Sequence, residues 1–207
     1  MENGNKLNLS EFTWINPPKE FTLENSRLIM ITDPETDFWQ STYYGFRNDN
    51  GHAFIRGIEG DFTFAVKTDF DPVSQYDQCG VVLYQSGENW FKGSVEYENK
   101  EYSRLGSVVT NLGFSDWAST DISSVVNSMW YRLSRMGQDF CVENSLDGVT
   151  YQQMRIFHMH FPILVAQVGI YACSPLNSSF KAVFSGFKLG KCIWQDHSGN
   201  LPFEGKY

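Results

Sequence analysis

From Trp90 to Glu98 the residues alternate in type, and one parity carries groups with chemistry to offer: Trp90, Lys92, Ser94 and Glu96. The other parity, Phe91, Gly93, Val95 and Tyr97, suits a face turned to a core. An indole beside an ammonium, a hydroxyl and a carboxylate gives a flat apolar platform ringed by directed hydrogen bonds. Proteins hold polar ligands that have one apolar face in this way. The plainer alternative is that Lys92 and Glu96 form cross-strand ion pairs over a solvated surface, each worth little. Asp116-Trp117 and Trp39 supply further indoles and a carboxylate, and shift the reading toward binding.

Two other groupings invite an enzymatic reading. Glu96-Tyr97-Glu98-Asn99-Lys100-Glu101 has the spacing of the acidic trio in retaining glycosidases, with Glu98 where an aspartate is usual. Retaining chemistry needs two carboxyl groups about 5–5.5 Å apart. Five steps of extended chain cover about 16 Å, so Glu96 and Glu101 would need a bulge to converge. Asn99-Lys100 reads instead as a hairpin turn that places Glu98 and Glu101 at an exposed tip. His158-Met159-His160 sets two imidazoles on one side of a strand, but no third ligand is evident and Phe161-Pro162 ends the run. A surface pair is expected, with no metal or cofactor. There is no phosphate-binding glycine loop, no nucleophile elbow and no Cys-His pairing, and Asp147-Gly148 is a turn rather than a calcium loop.

The elements that must position these groups are strands. Alternation is clear in Asp61 to Phe70, where Phe62, Phe64, Val66 and Phe70 share one side. It recurs in Leu28–Thr32, Ala53–Ile58, Gly80–Gln85, Trp90–Glu98, Tyr102–Leu112, Trp130–Met136, Phe140–Leu146, Tyr151–His158, Val165–Cys173 and Phe180–Leu189. In Val165–Cys173, Ala166, Val168, Ile170 and Ala172 face the core, while Gln167, Gly169, Tyr171 and Cys173 form a mixed face. Asp147-Gly148 marks the clearest short hairpin. Thr120 to Met129 reads as a long loop with one turn. So many strands cannot stay one open sheet, so the expectation is all-β: a two-sheet antiparallel jelly-roll sandwich in a single domain over 1–189, with a loosely held tail over 190–207.

Composition narrows the partners. The 207 residues carry 16 Lys plus Arg against 24 Asp plus Glu, a formal charge of −8, which argues against nucleic acid and anionic membrane. No apolar run reaches the roughly 20 residues of a membrane helix, and Met1 to Ser10 lacks a secretion signal. Cys79, Cys141, Cys173 and Cys192 are widely spaced and read as reduced thiols of a cytoplasmic protein. Asn8-Leu9-Ser10 and Asn177-Ser178-Ser179 match the glycosylation pattern, which means little without a signal peptide.

Several motifs occur in order: Asp37-Phe38-Trp39, Asp77-Gln78-Cys79-Gly80, Trp90 to Tyr97, Ser107-Val108-Val109-Thr110-Asn111, Ser115-Asp116-Trp117, Ser145-Leu146-Asp147-Gly148 and Ala172-Cys173-Ser174-Pro175. The series resembles the regulation-of-enolase-protein family, domains of unknown function with a concanavalin A-like lectin/glucanase fold, over about Phe12 to Leu189. The resemblance implies a jelly-roll sandwich with a site on its concave sheet. Position by position, it implies Trp39, Asp77, Gln78, Trp90, Lys92, Glu96, Thr110, Asp116, Trp117 and Tyr171 as lining residues, with His52 at the rim. Cys79 stands where the pattern favours a smaller residue. Arg132 and Arg155 are added because an arginine on a central strand needs a partner or a ligand. The reading that follows is recognition rather than turnover: a binding domain for a small polar, carbohydrate-like ligand. The alternatives are an interaction partner regulating a metabolic enzyme such as enolase, and a glycosidase using Glu96 and Glu101.

Overall fold

Two-residue alternation becomes strand at every stretch where the sequence shows it, and pairing sorts the strands into two large antiparallel sheets. The computed structural model describes residues 5–195. Within them one sheet runs, in spatial order, Phe114–Ser123 (β12), Tyr102–Asn111 (β11), Asn89–Tyr97 (β10), Gln78–Ser86 (β9), Val165–Cys173 (β16), His52–Glu59 (β7) and Thr13–Ile15 (β2). The facing sheet runs Gln152–His158 (β15), Asp139–Ser145 (β14), Ser128–Met136 (β13), Phe62–Asp71 (β8), Lys181–Gly190 (β17), Arg27–Ile31 (β4) and Glu20–Glu24 (β3). Asn5–Lys6 (β1) also pairs with β17. A separate hairpin, Phe38–Gln40 (β5) with Arg47–Asp49 (β6), lies over the first sheet. The architecture is the expected two-sheet antiparallel sandwich of jelly-roll type.

The core sits between the sheets and is filled by the parities the sequence assigned to it. Phe91 and Val95 of β10, Ala166, Val168, Ile170 and Ala172 of β16 and Phe62, Phe64, Val66 and Phe70 of β8 share one apolar cluster. Phe91 stacks on Phe157 of the facing sheet with ring centroids 4.4 Å apart, and Phe157 stacks in turn on Phe140 at 5.2 Å. Each such ring, taken fully from water, stabilises the sandwich by about 1.5–3 kcal/mol.

Three local expectations need correction. Thr120 to Met129 is mostly strand, with Thr120 to Ser123 in β12 and Ser128 and Met129 in β13. β12 is an edge strand whose residues, Ser115 and Ile122 apart, are exposed, so it has no apolar alternation to read. The turn at Asp147-Gly148 does join β14 to β15, but the connection is six residues long (146–151) rather than two. Its shape comes from the Asp147 carboxylate, which accepts the backbone N–H groups of Val149 and Thr150 at 2.8 Å each. These bonds, that of Thr150 first, hold the Asp147 carboxyl down at about 2. Finally, the stretch beyond β17 is tied at first, since Ile193 N–H donates to Thr63 Oγ1 at 3.0 Å. The rest of the anticipated tail, from 196 on, lies outside the described residues. All four cysteines are free thiols.

Candidate functional site

Along β10 the parity opposite the core points Trp90, Lys92, Ser94 and Glu96 toward the outer face of the seven-stranded sheet. That face is covered at one end by the β5–β6 hairpin. Phe38 of β5 packs on Trp90 with centroids 5.8 Å apart, and both belong to a second apolar cluster with Trp39, Val82, Val108, Tyr171 and Cys173. The hairpin is pinned by Ser115 Oγ, which accepts Gln40 N–H at 2.9 Å and is bonded to Thr110 Oγ1 at 2.8 Å. Beside this cluster a cleft of about 410 Å³ remains open. Its walls are aromatic: Trp39, Tyr44, Phe46, Tyr76 and Trp117. Its polar lining is Asp37, Asn48, Gln78, Lys92 and Glu96, with Val108, Pro175 and Leu176 between.

Two polar systems occupy the floor. Lys92 Nζ stands 3.0 Å from Asp37 Oδ1, and Lys92 is only 4% exposed. Asp37 Oδ1 also accepts Phe38 N–H at 2.7 Å, while Lys92 Nζ lies 5.9 Å and 5.8 Å from the Trp90 and Tyr171 ring centroids. Burial pulls the Lys92 ammonium down, but Asp37, Cys173 and Glu96 together outweigh it and the net shift is upward. The amine is therefore a fixed charge. In the second system Tyr171 OH donates to Gln78 Oε1 at 3.0 Å, and Gln78 Nε2 donates to Glu96 Oε2 at 2.7 Å. Glu96 lies deep in the fold yet keeps part of its surface open to the cleft. Burial raises its carboxyl from 4.5 to about 7, with Asp37 and Glu98 adding and Lys92 and Arg104 opposing. Arg104 is the cross-strand partner of Glu96, but its side chain goes to Glu98 at 2.6 Å. At neutral pH the cleft thus holds a carboxyl near its midpoint, able to donate or accept a hydrogen bond.

On the neighbouring edge, Trp117 pairs in register with Val108 and stands 40% exposed at the rim. Its indole runs over Gly106 so closely that a Cβ there would come within 3.1 Å of Trp117 Nε1. The Arg104 guanidinium lies 5.6 Å from its ring centroid.

Of the residues expected at the site, Trp39, Gln78, Lys92, Glu96 and Trp117 come together in the cleft. Trp90 does not, because Phe38 covers it and its Nε1 donates to Gly87 O at 3.2 Å, leaving it 0% exposed. Thr110 and Tyr171 are likewise sealed beneath the surface and act through Ser115 and Gln78. His52 is no rim residue. Its buried ring accepts Asp33 N–H at Nε2, 2.9 Å away, and so donates from Nδ1 to Asn16 O at 2.7 Å. Burial holds this imidazole below its ordinary range. Asp77 clamps a loop by accepting Val73 and Ser74 N–H at 2.8 Å each, and Ser178 Oγ at 3.0 Å. Asp116 pairs in register with the core residue Val109, so it faces away from the cleft and makes an ion pair with Arg155 of the other sheet. Arg132 lies on the outer face of the eight-stranded sheet, bonded through two nitrogens to Glu143 at 2.6 Å each and stacked on Tyr151 at 4.1 Å.

Asp37, Tyr44, Phe46, Tyr76 and Leu176 line the cleft without having been expected there. The available signals were the Asp-Phe-Trp motif and the dense run Tyr43-Tyr44-Gly45-Phe46. The acidic trio does not assemble: Glu98 is held by Arg104 and by Gln75 at 2.8 Å, and Glu101 is exposed in the β10–β11 turn. His158 binds Asp139 at 2.6 Å, with the His160 ring 5.4 Å from its own.

Residues 14–192 match the family described as Protein of unknown function (DUF1349). The chain belongs to this family. It is also 32% identical over 190 residues to Regulation of enolase protein 1 of Saccharomyces cerevisiae, covering 91% of this chain and 94% of that one. The crystal structure of a functionally unknown Saccharomyces cerevisiae protein superposes with a TM-score of 0.85 at 29% identity, over 91% of this chain and 100% of the other. The GH43 protein BlXynB of Bacillus licheniformis shares the fold at a TM-score of 0.67 and 17% identity, over 86% of this chain but 36% of its own length. Likeness at that distance concerns architecture alone. Among the described residues no helix is long and apolar enough to cross a membrane.

Proposed function

We propose that this DUF1349 chain is a non-catalytic binding domain whose cleft recognises a small polar, carbohydrate-like ligand. One observation carries the reading: aromatic walls and a hydrogen-bonding floor meet in one open cleft of about 410 Å³, a volume suited to a small molecule. Trp117, Trp39 and Tyr76 offer surfaces on which an apolar sugar face can stack. Glu96, oriented by Gln78, presents a donor or acceptor to hydroxyls, and the Asp37–Lys92 pair fixes the floor beneath it. The four free thiols fit a cytoplasmic setting for this activity. Calorimetric titration with neutral and charged disaccharides tests it. Binding by the wild type, weakened about ten-fold or more by Trp117→Ala, is the expected result. No binding by any member, or equal binding by the variant, would count against it.

The similarity to Regulation of enolase protein 1 favours a second reading, in which the domain regulates a metabolic enzyme such as enolase through this same face. Mixing purified enolase with the chain and measuring both complex formation and enolase turnover separates the two. A stoichiometric complex disrupted by Tyr44→Ala or Trp117→Ala would favour regulation by contact.

A further inference from the structure

We propose that the ligand of this cleft carries a cationic amine, as an amino sugar does, and that its ammonium pairs with Glu96 between the aromatic walls. The inference rests on the cleft being a ligand site and adds the charge of what it takes.

The charges facing Glu96 leave it one counter-ion short. On its own strand, Lys92 is matched by Asp37 at 3.0 Å. On β11, Arg104 is matched by Glu98 at 2.6 Å and approached by Asp121 at 3.7 Å. The remaining titratable neighbours are Tyr76, ahead of β9, and Tyr171 and Cys173 on β16, all pushed upward, burial being the largest cause, and therefore neutral at physiological pH. Glu96 itself makes a hydrogen bond to Gln78 Nε2 at 2.7 Å and, among the described residues, no ion pair. A carboxylate in that position is stabilised by whatever brings a positive charge into the cleft.

The walls suit the same charge. Five aromatic rings surround the space, and their faces attract cations. Tyr44 sits between two of them, with centroids 5.4 Å from Trp39 and 5.7 Å from Phe46. An anionic sugar would meet Asp37 and Glu96 with no free cation to receive it, since the Lys92 ammonium is buried against Asp37. The net charge of −8 also draws cations toward the protein. Pairing with an ammonium favours the ionised form of Glu96, which burial otherwise disfavours.

The test is calorimetry on the full chain at pH 7 with the β-1,4-linked disaccharide of glucosamine, cellobiose and a hexuronate disaccharide. The glucosamine disaccharide should bind about ten-fold or more tightly than cellobiose. In Glu96→Gln, which keeps the shape, the preference for the amine should fall to about two-fold or less. Equal binding of the amine and cellobiose, tighter binding of the hexuronate, or a preference that survives Glu96→Gln would overturn this inference while leaving the polar-ligand reading standing. If none of the three binds, both fall together.

Discussion

The two sides of β10 are buried to nearly the same depth and are built on opposite principles. On the core side, Phe91 and Val95 belong to the apolar cluster between the sheets, and their contribution is area removed from water. On the cleft side, Lys92 is as inaccessible as many core residues, yet it is an ammonium held by Asp37. A dry apolar face tolerates any shape that fills it. A buried ionic face demands particular partners, and evolution has little stability to gain from it, because desolvation offsets most of the attraction. The lesson is that depth alone does not separate core from site. What separates them is whether the buried groups would be cheaper if they were apolar, and beneath the cleft they would be.

That contrast yields predictions in descending size. Asp37→Ala strands the Lys92 ammonium and should destabilise the fold by about 3–5 kcal/mol in denaturant titration. This matches Phe91→Ala, also expected at about 3–5 kcal/mol from the lost ring and its cavity. Replacing both charges, Asp37→Leu with Lys92→Met, should recover at least half of the Asp37→Ala loss. If the double variant is no better than the single one, the cost is local to Asp37 and its bond to Phe38 N–H.

Glu96 comes next. Its folded-state proton is held up to about 7 against an ordinary 4.5, so protonated Glu96 favours the folded protein. That contribution is complete below pH 4.5, is lost as pH rises through 7, and is flat beyond. Glu96→Gln has no proton to lose. Its stability relative to wild type should therefore climb by about 2–3 kcal/mol between pH 4.5 and 8, read as midpoint shifts at matched pH. A difference that does not change with pH would place Glu96 in ordinary solvent. Smaller again are the ion pairs outside the cleft. Arg132→Ala, losing a bidentate pair and a stacking partner, should cost about 1 kcal/mol, and Arg155→Ala, facing the exposed Asp116, less. Trp117→Ala should change stability least, by under about 1 kcal/mol, while changing ligand affinity most.

Much of this was readable from residue order. Period-two alternation located β10 and β16 and put Lys92 and Glu96 on one side with Phe91 and Val95 on the other, because successive side chains of a strand must alternate. The same rule, applied strictly, would have kept Asp116 from sharing a face with Trp117, its chain neighbour. Residue type and the resemblance both group them, whereas register shows them on opposite sides. Alternation reports which way a side chain points and is silent on what covers it. Alternation alone therefore assigns Trp90 to ligand contact, whereas the β5–β6 hairpin lies over it. That hairpin has three-residue strands, too short for any periodic signal, and with it went Asp37, Tyr44 and Phe46. His52, Asp77 and Arg132 look like site residues by type, but each finds its partners within the fold, which sequence spacing does not encode.

The most direct test is amide chemical-shift mapping by NMR, with the isotopically labelled chain titrated by the disaccharides named above. Perturbations should concentrate on Trp39, Tyr76, Gln78, Lys92, Glu96 and Trp117, with the Arg132, Glu143 and Tyr151 surface of the opposite sheet unmoved. Shifts that gather on that opposite surface, or none at saturating sugar, would contradict the account.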